Sequence, residues 1–420
     1  MVYSFNKKEG ILIYWNPLKI LGAIEKMKES LFNYRFEYEN QKYIFNTNNN
    51  GLIQINNDIF TEEEREYLRV NRFWVDDNED EIALLEREIN HNIQKRQKEL
   101  ELTIALTNYC NFSCVYCYQN KNEKLMTTEV ANMIIEKIDR ILNDNIFEGI
   151  NIHYFGGEPL LNIPVLIYLD ENIKKITDKI GIVYKAFLTT NGSMLSKELL
   201  QKVKFSSIQL TFDGLEKTHD RLRVSDHFHF KEEIELIENI MNFSQAKVLL
   251  RTNICKENKD EIIALHKYIF EKFGNERIEI NPNRTIKYHQ DDSFEMLSVQ
   301  EYAEVAYKIK LLWSEQKGKF ELPVPRSTPC KFPYGNAYAI SPEGYCTFCS
   351  GSMDQEKKYF FDVDIENKKM FSVRKECKKC NILPLCLGGC IIQYNLRAGA
   401  CTYEKYELKN ILISYIKHIS

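Results

Sequence analysis

Residues 102–118 read LTIALTNYCNFSCVYCY, and this stretch decides the fold. Residues 102–106 are a short apolar run of the kind that forms a buried strand. Cys110, Cys114 and Cys117 follow directly, in C-x3-C-x2-C spacing. A loop leaving the C-terminal end of a barrel strand is where α/β barrels carry their chemistry. Three thiolates leave one iron of a four-iron cluster open. The same spacing also suits a zinc site short of one ligand, since closed structural zinc takes four, or a set of buried reduced cysteines.

Outward from this loop the rhythm is regular. Apolar strands at 102–106, 150–155, 183–189, 207–212, 247–252 and 277–280 alternate with helices of ten or more residues, the pattern of βα units around a parallel sheet. Six strands predict an α/β fold, a partial (β/α)6 TIM-like barrel. A helix is expected at 299–313, and beyond residue 325 the chain turns rich in Cys, Gly and Pro. Upstream, an early apolar segment and helix (11–30) precede a hairpin of strands 34–39 and 41–46 and a strand at 51–55, a small α+β unit. From 79 to 100 acids give way to bases with Ile82, Leu84, Leu85, Ile89 and Ile93 at helical spacing, so a linking helix is expected there. The expected domains are 1–75, the link 76–100, the barrel 101–320 and a cysteine-rich domain 321–420. There is no internal repeat and no low-complexity tract; 48–50 is a polar turn.

Composition limits the function. The 420 residues exceed the length at which one core stops growing, so several domains are expected. Fifty-six Lys and Arg against 60 acids, net −4, leave no basic footprint for nucleic acid. The first residues carry charges where a signal peptide needs its apolar stretch, and no run is long enough to span a bilayer. A cytoplasmic protein without nucleic-acid or membrane partners is expected. In such a chain twelve cysteines point to metal or redox chemistry rather than disulfides. Three lie near residue 110 and eight between 330 and 401; Cys255 stands alone, as a small buried hydrophobe would.

An open iron can chelate the amino and carboxylate groups of S-adenosylmethionine and pass an electron to its sulfonium, releasing a 5'-deoxyadenosyl radical. The sequence resembles the radical S-adenosylmethionine (radical SAM) superfamily in four motifs in order. Tyr116 precedes the third cysteine and Tyr118 follows it. Gly156, Gly157, Glu158 and Pro159 follow the second strand, where the resemblance implies contact with the methionyl amino group; an ordinary turn would look the same. Thr189, Thr190, Asn191 and Gly192 end the third strand, where Thr190 and Asn191 would meet the ribose or methionyl group, although Asn-Gly is also common in turns. Thr211, Phe212, Asp213 and Gly214 end the fourth, making Thr211 a candidate for the cofactor carboxylate. Arg223 and Arg251 are the basic candidates for that carboxylate, or else surface ion pairs.

The tail runs Cys330, Gly344, Cys349, then Cys377-x2-Cys380-x5-Cys386-x3-Cys390 and Cys401. It resembles the SPASM domain. The resemblance implies two auxiliary four-iron clusters, one on Cys330, Cys349 and Cys390 with Cys346 as fourth ligand, the other on Cys377, Cys380, Cys386 and Cys401. Three [4Fe-4S] clusters and S-adenosylmethionine are then the cofactors. From the residues alone, a pair of zinc ribbons suits the C-x2-C spacing equally. Lys368, Lys369, Arg374, Lys375, Lys378 and Lys379 flank the second group as counter-charges or as a solvated face.

The resemblance covers roughly 100–402 and implies modification of a peptide. Peptide maturases of ribosomally made natural products often carry an N-terminal, winged-helix-like element that binds a leader peptide by strand addition. Residues 1–75 match that layout. The expected activity is an oxidoreductase that abstracts a hydrogen from a precursor peptide and installs an intrapeptide crosslink, a thioether first, with a flavodoxin or ferredoxin as electron donor. Carbon–carbon crosslinking and epimerisation are rivals. A sulfatase maturase is disfavoured by the long N-terminal extension and by Ser350, where an acid is usual. A non-enzymatic iron-sulfur electron carrier leaves the GGEP and T-x-D-G segments unexplained.

Overall fold

The computed structural model describes residues 27–419 except 56–60, 97, 120, 145–146, 275, 288–292, 348, 353–357, 364–369 and 391–400. The chain divides into two compact units that interleave along the sequence. One draws on segments 1–92, 313–329 and 370–420, the other on 93–312 and 330–369.

In the first unit, strand β1 (Met27–Glu29) will pair with a strand after the helix. Strands β2 (Asn33–Tyr38), β3 (Gln41–Asn46) and β4 (Gly51–Ile55) form an antiparallel meander. Tyr38 faces Gln41 in the ladder, so only Glu39 and Asn40 make the turn. Both have positive φ, 49° and 59°, the conformation whose twist matches the flanking strands. The helix Glu62–Val70 begins with a reciprocal capping box between Thr61 and Glu64. Strand β5 (Trp74–Asp76) then pairs antiparallel with β1. The expected helix at 11–30 is corrected at its end: 27–29 is a strand, and 11–26 lie outside the described residues.

The meander is buried on both faces. Ile44, Ile53 and Ile55 pack on Leu68 and Phe73. Phe36 and Phe45 pack on Ile382, Leu385, Leu408, Leu412 and Ile416, the last three on the helix Glu404–Ile419. Thr47 and Asn33 also bond the backbone and side chain of Asn381. The helix Glu81–Arg96 occupies the expected link, and its Glu86 and Asn90 bond Val373 and Phe371.

The second unit is built on a nine-stranded sheet. Strand β6 (Glu99–Ala105) runs into the cysteine loop, which holds the short β7 (Ser113–Cys114). Then come β8 (Gly149–Phe155), β9 (Val183–Thr189), β10 (Phe205–Thr211), the short β11 (Arg223–Val224), β12 (Lys247–Ile254) and β13 (Ile278–Arg284). The order β13-β12-β10-β9-β8-β6 is parallel throughout. It continues into β14 (Ala337–Ile340), also parallel to β6, and the antiparallel β15 (Tyr345–Thr347) and β16 (Lys358–Tyr359). The six strands expected from sequence are present within a few residues; the seventh parallel strand was not expected.

Alternation along each strand sorts the side chains. Ile150, Ile152 and Tyr154 of β8, and Ile208 and Leu210 of β10, are fully buried. On the opposite face a polar row crosses the sheet: His153 bonds Thr189 (2.8 Å), Gln209 approaches Thr189 (3.4 Å), and Asn281 bonds Gln209 (3.2 Å). Arg277 closes the helix Phe230–Phe243 by donating to the carbonyls of Ile240, Met241 and Ser244, at the end where helix carbonyls run out of intrahelical donors.

His266 is fully buried against the Thr252 hydroxyl at 3.2 Å, and burial pushes its pKa down to about 3. The unfolded chain protonates near about 6.5. Stability is therefore full above that pH and falls as the pH drops toward 3, by up to about 1.4 kcal/mol per pH unit. His266→Asn is expected to flatten the dependence of urea-unfolding stability between pH 6.5 and 4. An unchanged slope would show that this histidine does not titrate between the two states.

Candidate functional site

The segments that follow β6 and β8 meet through backbone contacts that only glycine permits. Gly157 N donates to Thr107 O (2.8 Å) and Glu158 N to Tyr109 O (2.9 Å). A Cβ on Gly157 would stand 2.2 Å from Tyr109 O, and one on Gly156, whose φ is +138°, 2.3 Å from Thr107 O. Both distances are far inside contact. The two glycines thus seat the start of the three-cysteine loop directly on the GGEP turn.

Glu158 is fully buried and its carboxylate is spent inside the protein. It accepts from Leu160 N (3.0 Å), Thr190 Oγ1 (2.7 Å) and Asn191 N (2.6 Å). Burial pushes its pKa up, while these bonds and Arg223 oppose the shift. Thr190 and Asn191 are therefore tied to the GGEP turn. The Asn191 side chain also donates to Asn111 Oδ1 (2.8 Å) and points at Cys110 Sγ (3.8 Å), so the third strand's end grips the cysteine loop. Pro159 starts the short turn that follows.

The loop's far end is held by the fourth and fifth strands. Tyr116 donates its hydroxyl to Asp213, whose other oxygen accepts from Asn253 N at 2.7 Å. Strand β11 pairs with β7, setting Arg223 opposite Cys114. The Arg223 side chain is buried, with its guanidinium 5.4 Å from the Phe112 ring centroid. Burial disfavours its charge, but attraction to Glu233 first, then Tyr116, Cys114 and Asp213, keeps it charged. Arg251 lies beside Thr211 in the ladder and donates to Asn253 Oδ1 (2.8 Å). Cys255 is buried against Leu222 and Phe294, behind Val115 and Tyr116. Sequence reasoning passed over Asp213, His219 and Glu233 as site residues; the run Thr218-His219-Asp220 just after T-x-D-G was the available signal.

Cys110, Cys114 and Cys117 feel one another's charge. Burial pushes the Cys114 thiol up to about 12, opposed by Arg223 and aided by Cys117, Asp213 and Cys110, and burial raises Cys110. Among the described residues no three His, Cys, Asp or Glu side chains converge as ligands of a single ion; cluster cysteines bind separate irons and need no such convergence. The donor set fits a cluster in a further way. A backbone N–H two residues on donates to sulfur at Cys110 (from Phe112, 3.4 Å), Cys349 (from Gly351, 3.3 Å) and Cys386 (from Gly388, 3.4 Å). One such bond falls in each expected ligand set, and hydrogen bonds to the sulfurs are a lever on cluster potential.

In the tail, Cys377, Cys380, Cys386 and Cys401 lie in the first unit. Burial raises Cys380, with repulsion from Cys401 and Cys377, and pushes Cys386 up to about 11, with a contribution from Cys380. Cys377, Cys386 and Cys401 are thus each within electrostatic range of Cys380. Cys330, Cys346 and Cys349 belong to the second unit and Cys390 to the first. Cys346 is buried on β15, and Cys330 begins the short helix Lys331–Tyr334. The turn after Cys386 runs through three consecutive left-handed residues, Leu387, Gly388 and Gly389. Of the flanking bases, Arg374 bonds Gly388 O, and Lys368 and Lys369 lie outside the described residues.

Gly157→Ala is expected to unseat the cysteine loop while the barrel persists. The checks are far-UV circular dichroism, which should hold, and iron content after anaerobic isolation, which should fall. Full iron content in this variant would show that the loop tolerates displacement from the turn.

Residues 104–269 match the family model described as Radical SAM superfamily. Among curated proteins, the radical SAM cyclopropyl synthase TigE of Paramaledivibacter caminithermalis is 24% identical over 372 residues, 78% of this chain and 76% of that protein. Other curated relatives, up to 34% identical, are spanned over 25–53% of their own length. Two solved structures share the fold. Native anSMEcpe with bound AdoMet and Cp18Cys peptide is 19% identical, with TM-score 0.58 over 76% of this chain and 98% of that one. Streptococcus suis SuiB bound to its precursor peptide SuiA is 16% identical, with TM-score 0.52 over 88% and 97%. No helix among the described residues is long and apolar enough to cross a membrane. The glycine-seated cysteine loop, the strand ends gathered on it and these likenesses agree: residues 104–269 of this chain form a radical SAM domain.

Proposed function

We propose that the chain is a peptide-modifying oxidoreductase of the radical SAM class, which abstracts a hydrogen from a precursor peptide and closes a crosslink within it, a thioether in the first instance. The observation that carries the reading is the cysteine loop locked onto the GGEP turn at the C-terminal end of a parallel sheet. The shared fold of SuiB, solved with a precursor peptide, supports the choice of substrate. When bound, the cluster supplies one electron to the sulfonium of S-adenosylmethionine, freeing the radical that takes the hydrogen.

The chain's own residues have separable tasks in this reading. Cys110, Cys114 and Cys117 hold the iron. Gly156, Gly157 and Glu158 fix the loop, with Thr190 and Asn191 bonded to Glu158. Tyr116 is anchored by Asp213. Thr211, Arg223 and Arg251 are the candidates to meet the methionyl carboxylate. The polar row from His153 to Asn281 offers uncharged hydrogen-bonding groups suited to a peptide; His153 stays neutral because burial pushes its pKa down to about 4.

Cys377, Cys380, Cys386 and Cys401 would hold one auxiliary cluster, and Cys330, Cys346, Cys349 and Cys390 another. Either gives the electron left after bond formation somewhere to go. An iron-sulfur or flavin protein would deliver the first electron. Residues 1–75 would bind the leader. Because Phe36 and Phe45 cover Leu385 and Leu408, deleting that segment would also uncover the tail, and surface substitutions on the meander are the cleaner probe.

A second reading, carbon–carbon ring closure, is favoured by the likeness to the cyclopropyl synthase TigE.

The test incubates reduced, anaerobic protein with S-adenosylmethionine and its precursor, and follows 5'-deoxyadenosine and peptide mass. A loss of two hydrogens is expected, with a cysteine thiol made unreactive to iodoacetamide. Cys114→Ala should abolish both products. A modified peptide whose thiols all remain alkylatable would replace the thioether by the carbon–carbon reading, and deoxyadenosine formed by the Cys114→Ala protein would overturn the assignment of the loop.

A further inference from the structure

Three buried carboxyl groups, Glu158, Asp213 and Glu233, and the Cys114 thiol lie within electrostatic range of Arg223. Two of the carboxylates are fully used. Glu158 accepts three hydrogen bonds and Asp213 accepts from Tyr116 and Asn253. Glu233 differs. It lies in the first turn of the helix Phe230–Phe243, is 0% exposed, and neither of its oxygens accepts a well-aligned hydrogen bond. Its near neighbours are His219 Nε2 at 3.1 Å and Arg223 Nε at 4.0 Å. Arg223 Nε is itself buried and without a hydrogen-bond partner.

A buried charge left without bonds is costly, and the proposed reaction assigns no task to Glu233. His219 explains how the group is kept in place. Its Nδ1 faces Asp213 N at 3.5 Å as acceptor, which leaves the proton on Nε2, directed at Glu233. The ring is fixed between Phe212 and Phe230, at 5.6 and 5.5 Å between centroids. The line Asp213 backbone, His219, Glu233, Arg223 therefore runs from the T-x-D-G turn to the arginine that backs Cys114.

We infer that Glu233, held by His219, is a positioning residue that orients the Arg223 guanidinium for the carboxylate of the bound S-adenosylmethionine. The inference rests on the reading of Arg223 as a cofactor contact. Without Glu233 the guanidinium would be drawn to Asp213 instead, and a ligand carboxylate would have to reorder it at its own cost. Only ligands that carry that carboxylate should notice.

The test uses anaerobic holoenzyme and compares equilibrium binding of S-adenosylmethionine with that of its decarboxylated analogue, measured by competition. Glu233→Gln, of the same shape, is expected to weaken S-adenosylmethionine about tenfold, in the range found for groups that share one network, and to leave the analogue within about twofold. His219→Gln should follow the same pattern and serves if Glu233→Gln does not fold. In an Arg223→Ala background, Glu233→Gln should add nothing. Equal weakening of both ligands would mean that Glu233 only supports packing, and overturns the inference. So would unchanged S-adenosylmethionine binding in Glu233→Gln when Arg223→Ala still weakens it, which leaves the Arg223 reading standing. If Arg223→Ala itself leaves binding intact, the Arg223 reading fails and the inference with it.

Discussion

Two backbones touch where side chains would normally keep them apart, and the candidate site depends on that contact. The segment from Thr107 to Tyr109 lies on Gly156 and Gly157 so closely that no Cβ fits between them. The contact delivers the first cysteine to a point where the ends of the neighbouring strands can also reach it. Asn191 then grips the loop from the third strand, Asp213 anchors Tyr116 from the fourth, and the β7–β11 ladder ties Cys114 to Arg223. The first tie comes from the residues after β9, and the other two come from the connection after β10. The loop's shape is thus a property of the whole parallel sheet rather than of its own residues.

This arrangement also changes the meaning of the GGEP and T-N-G motifs. The Thr190 hydroxyl and the Asn191 backbone N–H are both bonded to the Glu158 carboxylate. Backbone groups and the strand ends are what remain to meet a ligand. A buried carboxylate with three donors is a stable structural fixture despite its burial, and here it joins two strand ends beneath the loop.

Much of the parallel sheet was legible because parallel strands buried on one face by helices carry strong apolar runs, and all six strands read from sequence are present. The short strand Ala337–Ile340 escaped because four apolar residues inside a stretch rich in Cys, Gly and Pro give too little periodicity to stand out. Residues 27–29 were read as the end of a helix because a three-residue strand has no local signal and exists only through its partner at 74–76. The cysteines announced themselves by spacing. Glu233 did not: a glutamate in the first turn of an amphipathic helix looks like an ordinary dipole-favoured residue, and only the fold reveals that it points inward. The interleaving of the two units was equally invisible, since no local pattern says that Phe36 and Phe45 face residues more than three hundred positions away.

That distance has a bearing on synthesis. At roughly 5–20 residues per second, a ribosome needs on the order of tens of seconds to go from Phe45 to Leu385 and Leu408. Through that interval the residues that pack on Phe36 and Phe45 in the folded unit have not been made, and β6 waits almost as long for β14. Pairings this far apart must close long loops before they are rewarded. The apolar face of the meander therefore leaves the ribosome well before Leu385 and Leu408 exist to pack on it, so the first unit can close only after its C-terminal segment has been made.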